Sequence, residues 1–160
     1  MFQPWEPERV TTIADVLELE WYAGDTMVAF VLSKMSSEIL QNWSEVALDV
    51  LKNWPPEKPY LALYDLSHRG VVIGYLDLVQ RRMLSLGITE AGEERALDII
   101  AQREGFSARV ALYASMTRSG YVGRLFAKMD ARRSRFGKVA KHDVFYDREA
   151  AFDWLKETYI

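Results

Sequence analysis

Apolar and polar residues alternate with period two over Val16-Leu17-Glu18-Leu19-Glu20-Trp21. That spacing predicts a half-buried strand with Leu17, Leu19 and Trp21 turned inward. Ala23-Gly24-Asp25 supplies turn chemistry, and Thr26 to Leu32 is a nearly unbroken apolar run. The two segments predict a hairpin whose second strand is covered on both faces. The period then changes to that of a helix. Ile39, Trp43, Val46, Val50 and Trp54 recur at helical spacing, with Ser36 or Ser37 available as N-cap. Trp54-Pro55-Pro56-Glu57-Lys58-Pro59 is a stiff connector, because each proline fixes φ and removes a backbone donor. It leads to a second buried strand, Tyr60 to Asp65.

Val72, Leu76, Val79, Met83 and Leu86 repeat the helical period and stop at Gly87, a reasonable C′ residue. Glu93 to Arg103 predicts a further helix on the short stripe Ala96, Leu97 and Ile100. Ala108 to Ala114 is a third buried strand. Val122, Leu125, Phe126, Met129 and Phe136 form another amphipathic helix, stopped at Gly137. A short strand around Val144 to Tyr146 ends at Asp147, the N-cap of a last helix that buries Ala151, Trp154 and Leu155. The order ββαβα(α)βαβα predicts an α/β fold, a mixed, mostly parallel sheet of about five strands with helices packed on it. With no repeat, low-complexity tract or long linker, residues 1–160 are expected to form one domain. Residues 1–12 are expected to be loosely ordered, and residues 88–105 to hold an additional helix.

The ββα start, Asp65-Leu66-Ser67 at the end of a central strand, and Arg109-Val110-Ala111-Leu112 resemble the STAS-like fold. The closing run Val144-Phe145-Tyr146-Asp147-Arg148-Glu149-Ala150-Ala151-Phe152-Asp153-Trp154-Leu155 is most similar to the SpoIIAA-like branch of small bacterial proteins. The resemblance spans roughly Leu17 to Tyr159, on motifs that are structural. It implies a cytoplasmic, non-enzymatic module that binds a protein partner or a small or lipidic ligand. The anti-sigma-factor-antagonist branch carries a phosphorylated serine in an Asp-Ser-Ser-Gly segment after the central strand. The matching place here, Ile73-Gly74-Tyr75, has no serine, so binding without a phosphoserine switch is expected. The stretch between Asp65 and Ala108 is longer than the family's by about one helix.

Composition narrows the classes. The chain is 49% hydrophobic with five Trp, eight Tyr and seven Phe, which argues against disorder. No apolar run approaches the ~20 residues of a membrane span. The absence of cysteine excludes disulfides, zinc-thiolate sites and thiol nucleophiles. Charge is uneven: residues 1–80 carry five Lys or Arg against twelve Asp or Glu, residues 81–160 fifteen against eleven. A pI near 5.5 argues against nucleic acid as the partner. Arg132-Arg133-Ser134-Arg135-Phe136-Gly137-Lys138, with Lys141, is the local exception, although cations in a last helical turn also complement the macrodipole.

Ligands of open α/β sheets sit beyond the carboxyl ends of parallel strands. Two segments qualify, and both supply candidate binding residues. Asp65, Ser67, His68 and Arg69 line one side; Ser115, Thr117, Arg118 and Ser119 line the other. The second combines hydroxyls, a guanidinium and helix-start N–H groups, the ingredients of an anion site, although capping explains the same residues. The alternative is a small enzyme with His68 and Asp65 as an acid–base pair; a Ser67–His68 pair is disfavoured, because neighbours in an extended segment point to opposite sides. His142 beside Asp143 is no better placed. No metal-ligand spacing and no phosphate-cradling glycine loop is found, so no metal and no cofactor are expected. Trp5, among Pro4, Glu6 and Pro7, fits no periodic pattern and is expected to dock either on its own domain or on a second subunit; with the additional helix and Arg81-Arg82 it raises a homodimer contact as an expectation.

Overall fold

In the computed structural model, residues 5–68, 70–71, 86–114 and 139–157 are described. They form strands β1 (Arg9–Ala14), β2 (Leu17–Tyr22), β3 (Met27–Leu32), β4 (Tyr60–Leu66), β5 (Ala108–Ala114) and β6 (Ala140–Phe145). The helices are α1 (Ser37–Asn53), α2 (Glu90–Ala101) and α3 (Arg148–Lys156). The six strands make one mixed sheet in the order β1-β2-β3-β4-β5-β6. β1, β2 and β3 pair antiparallel, whereas β3 to β6 run parallel. The α/β class holds, with six strands in place of about five. The expected helices over 72–86 and 122–136 lie outside the described residues, apart from Leu86.

The additional strand is β1, formed in part by residues 9–12 of the segment expected to be loosely ordered: Arg9 to Thr12 pair with Glu18 to Trp21. All six residues of β1 are exposed, so no inward-outward alternation marks it; it is held by backbone pairing. Trp5, before it, docks on its own domain. Its ring stacks on Phe152 with centroids 5.2 Å apart.

Alternate residues of the central strands feed two cores on opposite faces. Val28, Phe30, Leu32, Tyr60, Ala62, Tyr64, Val110 and Leu112 pack under α1 and α2. Met27, Ala29, Leu61, Leu63 and Ala111 pack under α3 with Phe152 and Leu155. The apolar run of β3 is thus covered on both faces, as its sequence predicts. Ser36 caps α1, its hydroxyl accepting from the Ile39 N–H. The buried stripe of α1 is wider than the expected one and rotated from it: Leu40, Trp43, Ser44, Ala47, Leu48, Val50 and Leu51. The cause is a second neighbour, since α1 meets α2 as well as the sheet. In α3 the buried aromatic is Phe152, while Trp154 stays half-buried under the Arg109 guanidinium, 5.0 Å from its ring.

α2 starts one turn earlier than its apolar stripe suggests, capped by Thr89, whose hydroxyl accepts from the Gly92 N–H at 3.0 Å. Its approach to α1 explains two glycines. A Cβ on Gly92 would lie 2.0 Å from the Gly87 carbonyl oxygen and 2.3 Å from Ser44 Oγ. Ser44 Oγ donates to that same carbonyl at 2.6 Å. Gly87 therefore serves close approach, and the left-handed backbone falls on Ile88 instead (φ 70°). Thr89 N–H donates to the Gly87 carbonyl across Ile88 at 2.8 Å, a tight three-residue turn that a buried β-branched residue adopts only under strain.

Gly92→Ala is expected to destabilise the protein by about 2–3 kcal/mol through this overlap. Helix propensity alone favours alanine by about 1 kcal/mol, so the sign separates the two effects. Thermal unfolding checks it, the midpoint falling by roughly 5–10 °C.

Candidate functional site

The parallel pairing brings the carboxyl ends of β3, β4, β5 and β6 to one rim of the sheet, and α3 begins there after Asp147. Asp147 caps it, its carboxylate accepting from the Glu149 N–H at 3.1 Å. Leu66 of β4 is in register with Ala114 of β5. The last residues of β4 and β5 are therefore neighbours at this rim. Of the eight candidate residues, Asp65, Ser67 and His68 are described. Arg69, Ser115, Thr117, Arg118 and Ser119 lie outside the described residues, as does the basic segment 132–138.

Asp65 is the second-last residue of β4 and points to the α3 face, in line with Val31, Tyr113 and Phe145. Its Oδ1 accepts from both the backbone N–H (3.1 Å) and the hydroxyl of Ser67. Its Oδ2 lies 4.0 Å from the Arg148 Nε. His68 is exposed, and its Nδ1 accepts from the Gly70 N–H at 3.2 Å. The 68–70 turn rests against the chain leaving β3, since a Cβ on Gly70 would stand 3.3 Å from the Ser33 carbonyl oxygen. Asp65 and His68 are thus held by different partners and make no proton-transfer pair. His142 and Asp143 do not pair either. The Asp143 carboxylate accepts from the Val144 N–H, and His142 Nε2 is buried without a hydrogen bond. Among the described residues no group of three or more acidic or histidine side chains could hold a metal. No described helix is long and apolar enough to cross a membrane.

The strongest polar cluster at the rim centres on Arg148, which sequence reasoning missed. Its Nη2 donates to Glu20 Oε2 at 2.8 Å and to the Tyr22 hydroxyl at 2.6 Å. The Tyr22 hydroxyl donates to Glu20 as well. Burial first, and then the hydrogen bond to Glu20, push the Tyr22 phenol well above its usual range. Arg148 Nη1 reaches the Trp5 carbonyl at 3.4 Å. One guanidinium thus joins β2, β4, α3 and the N-terminal segment. The side chains are 27% (Arg148), 16% (Glu20) and 11% (Asp65) exposed. A signal was present in the sequence: a cation at the first position of a helix opposes the macrodipole, so it needs anionic partners elsewhere.

No family model, curated protein or solved structure matches the chain.

Arg148→Leu leaves two mostly buried carboxylates without their cation and is expected to cost about 2–3 kcal/mol in urea unfolding, discounted from a fully buried pair. Adding Glu20→Gln should recover part of the loss. His142 gives a pH dependence. Ala140, His142 and Val144 share the α1–α2 face, and burial pushes the imidazole down to about 4 from 6.5. The unfolded chain then binds the proton more readily, so stability is full above pH 6.5 and falls as pH drops towards about 4. At about pH 5 the expected loss is roughly 2 kcal/mol. His142→Gln should flatten that part of the urea-midpoint profile.

Proposed function

We propose that this chain is a non-enzymatic interaction module that takes an anionic group at the carboxyl rim of its sheet. The group belongs either to a protein partner or to a small or lipidic ligand, and no phosphoserine switch is involved. The observation that supports this reading is the register of Leu66 with Ala114, the strand residues that precede Ser67–Arg69 and Ser115–Ser119 in the sequence. Those segments contain Arg69 and Arg118 with five hydroxyl or imidazole side chains between them, a donor set suited to an oxyanion. The resemblance to the SpoIIAA-like branch supports the same reading. The separate tethering of Asp65 and His68 speaks against the acid–base alternative.

Calorimetric titrations with inorganic phosphate and with vesicles containing anionic phospholipid test the proposal and tell free from lipid-borne anions. Arg118→Ala and Arg69→Ala should each weaken binding about tenfold, the loss of one charge-assisted hydrogen bond. Melting should be nearly unchanged. Binding of neither probe by the wild-type chain, or variants that melt early and bind normally, overturns the reading.

A further inference from the structure

Among the described residues β1 is the outermost strand, with an open long edge that is unusually unprotected. Exposed edges are normally blunted by lysine, proline or an inward charge. Arg9-Val10-Thr11-Thr12-Ile13-Ala14 contains no lysine or proline, four consecutive β-branched residues and one charge, at its end. Val10 and Ile13 are the large hydrophobics of the described residues that stand exposed, at 50% and 42%. The one irregularity is a shift of register between Thr12 and Ala14. Beside it lies a cavity of about 330 Å³ between the β1–β2 turn and α1, lined by Ile13, Leu17, Ile39, Val46, Asn42 and Glu45 among others.

We propose that β1 pairs antiparallel with β1 of a second copy, about a two-fold axis perpendicular to the sheet and passing through Thr11. Such an axis preserves the faces of the sheet, so each residue meets one of the same parity. Thr11 meets Thr11, Val10 meets Thr12, and Arg9 meets Ile13. An axis through Thr12 would place the register shift inside the paired span of both copies; the Thr11 axis leaves it at the end.

Charge selects a second copy as the occupant. The cation of β1 lies at one end of the strand, and Asp15 and Glu45 lie at the other. Antiparallel pairing carries Arg9 of each copy to the Ile13 end of its neighbour, on the α1 face where Glu45 lines the cavity. Arg9 already faces that side, 4.8 Å over the Trp21 ring. Its present ion pair with Asp25 joins two half-exposed side chains and is cheaply exchanged. Glu45 gives one carboxylate oxygen to Arg95, which leaves the other for the incoming guanidinium. The aliphatic stem of Arg9 then lies along Ile13. Two such contacts form, one at each end of the paired strands.

Sedimentation velocity of the full chain, from about 1 to 100 μM, tests this pairing, a range that brackets a micromolar dimer. The wild type should sediment as a dimer at the upper concentrations. Thr11→Lys and Thr11→Glu each put like charges on the axis and should raise the dissociation constant at least about tenfold. Circular dichroism and melting should match the wild type, since residue 11 is exposed. An equimolar mixture of the two variants should regain the dimer, because only a residue that faces itself gains an opposite charge on mixing. A wild type that is monomeric throughout overturns the proposal and leaves the edge to an extended segment of another protein. A dimer untouched by either substitution, or a mixture that stays monomeric, overturns it as well.

Discussion

The second face of the sheet closes because one guanidinium neutralises what the strands bring there. β2 places Glu20 and Tyr22 on the α3 side, and β4 adds Asp65. A helix of nine residues would otherwise have to cover two carboxylates with an apolar stripe of Ala151, Phe152 and Leu155. Arg148 lets it do so, reaching both acids while its guanidinium lies 4.9 Å over the Phe152 ring one turn on. The arrangement places an uncompensated desolvation cost on either side if a partner is lost. It also fixes where Trp5 docks, since the same guanidinium meets the Trp5 carbonyl.

That dependence changes what Asp65 is. As the acidic residue near the end of a central parallel strand, it stands where a catalytic carboxylate would be sought. Its oxygens instead face Arg148 on one side and Ser67 on the other, so its work is to anchor α3 and to shape the start of the following turn. The parallel strands β3 to β6 also follow one another in chain order. A sheet with no reversal of strand order has no topological crevice of the dinucleotide-binding kind. The proposed function therefore rests on the residues that follow β4 and β5 in the sequence and not on a crevice between strand ends.

The strands buried on one or both faces were legible in the sequence because burial writes a period into it. β2, β3, β4 and β5 start and end within a residue or two of where alternation or an apolar run places them. Capping was legible for the same local reason: Ser36 and Asp147 act where their side chains suggest. What escaped is structure whose cause lies elsewhere in the chain. The stripe of α1 is wider because α2 docks at Ser44 through a pair of glycines five positions apart, and nothing in α1 itself announces that contact. The Arg148 cluster escaped because its members are 126 and 128 residues apart and each looks like an ordinary surface charge or strand tyrosine.

β1 is the reverse case, and it bears on the two-fold pairing at Thr11. Its six residues carry no periodic burial signal because neither face is covered. Four β-branched residues in a row are nevertheless a poor choice for a flexible tail and a good one for a pleated surface that packs sideways. Among the described residues of a single copy, one of the strand's two edges is used, by β2. A strand selected for pairing, given no gatekeeping residue and leaving Val10 and Ile13 exposed, is inconsistent in isolation. Adding a second copy resolves that inconsistency through backbone hydrogen bonds on the free edge and cover for Ile13. None of Asp65, Ser67 and His68 is drawn into the contact, so the proposed self-association and the proposed ligand capture are free to vary independently.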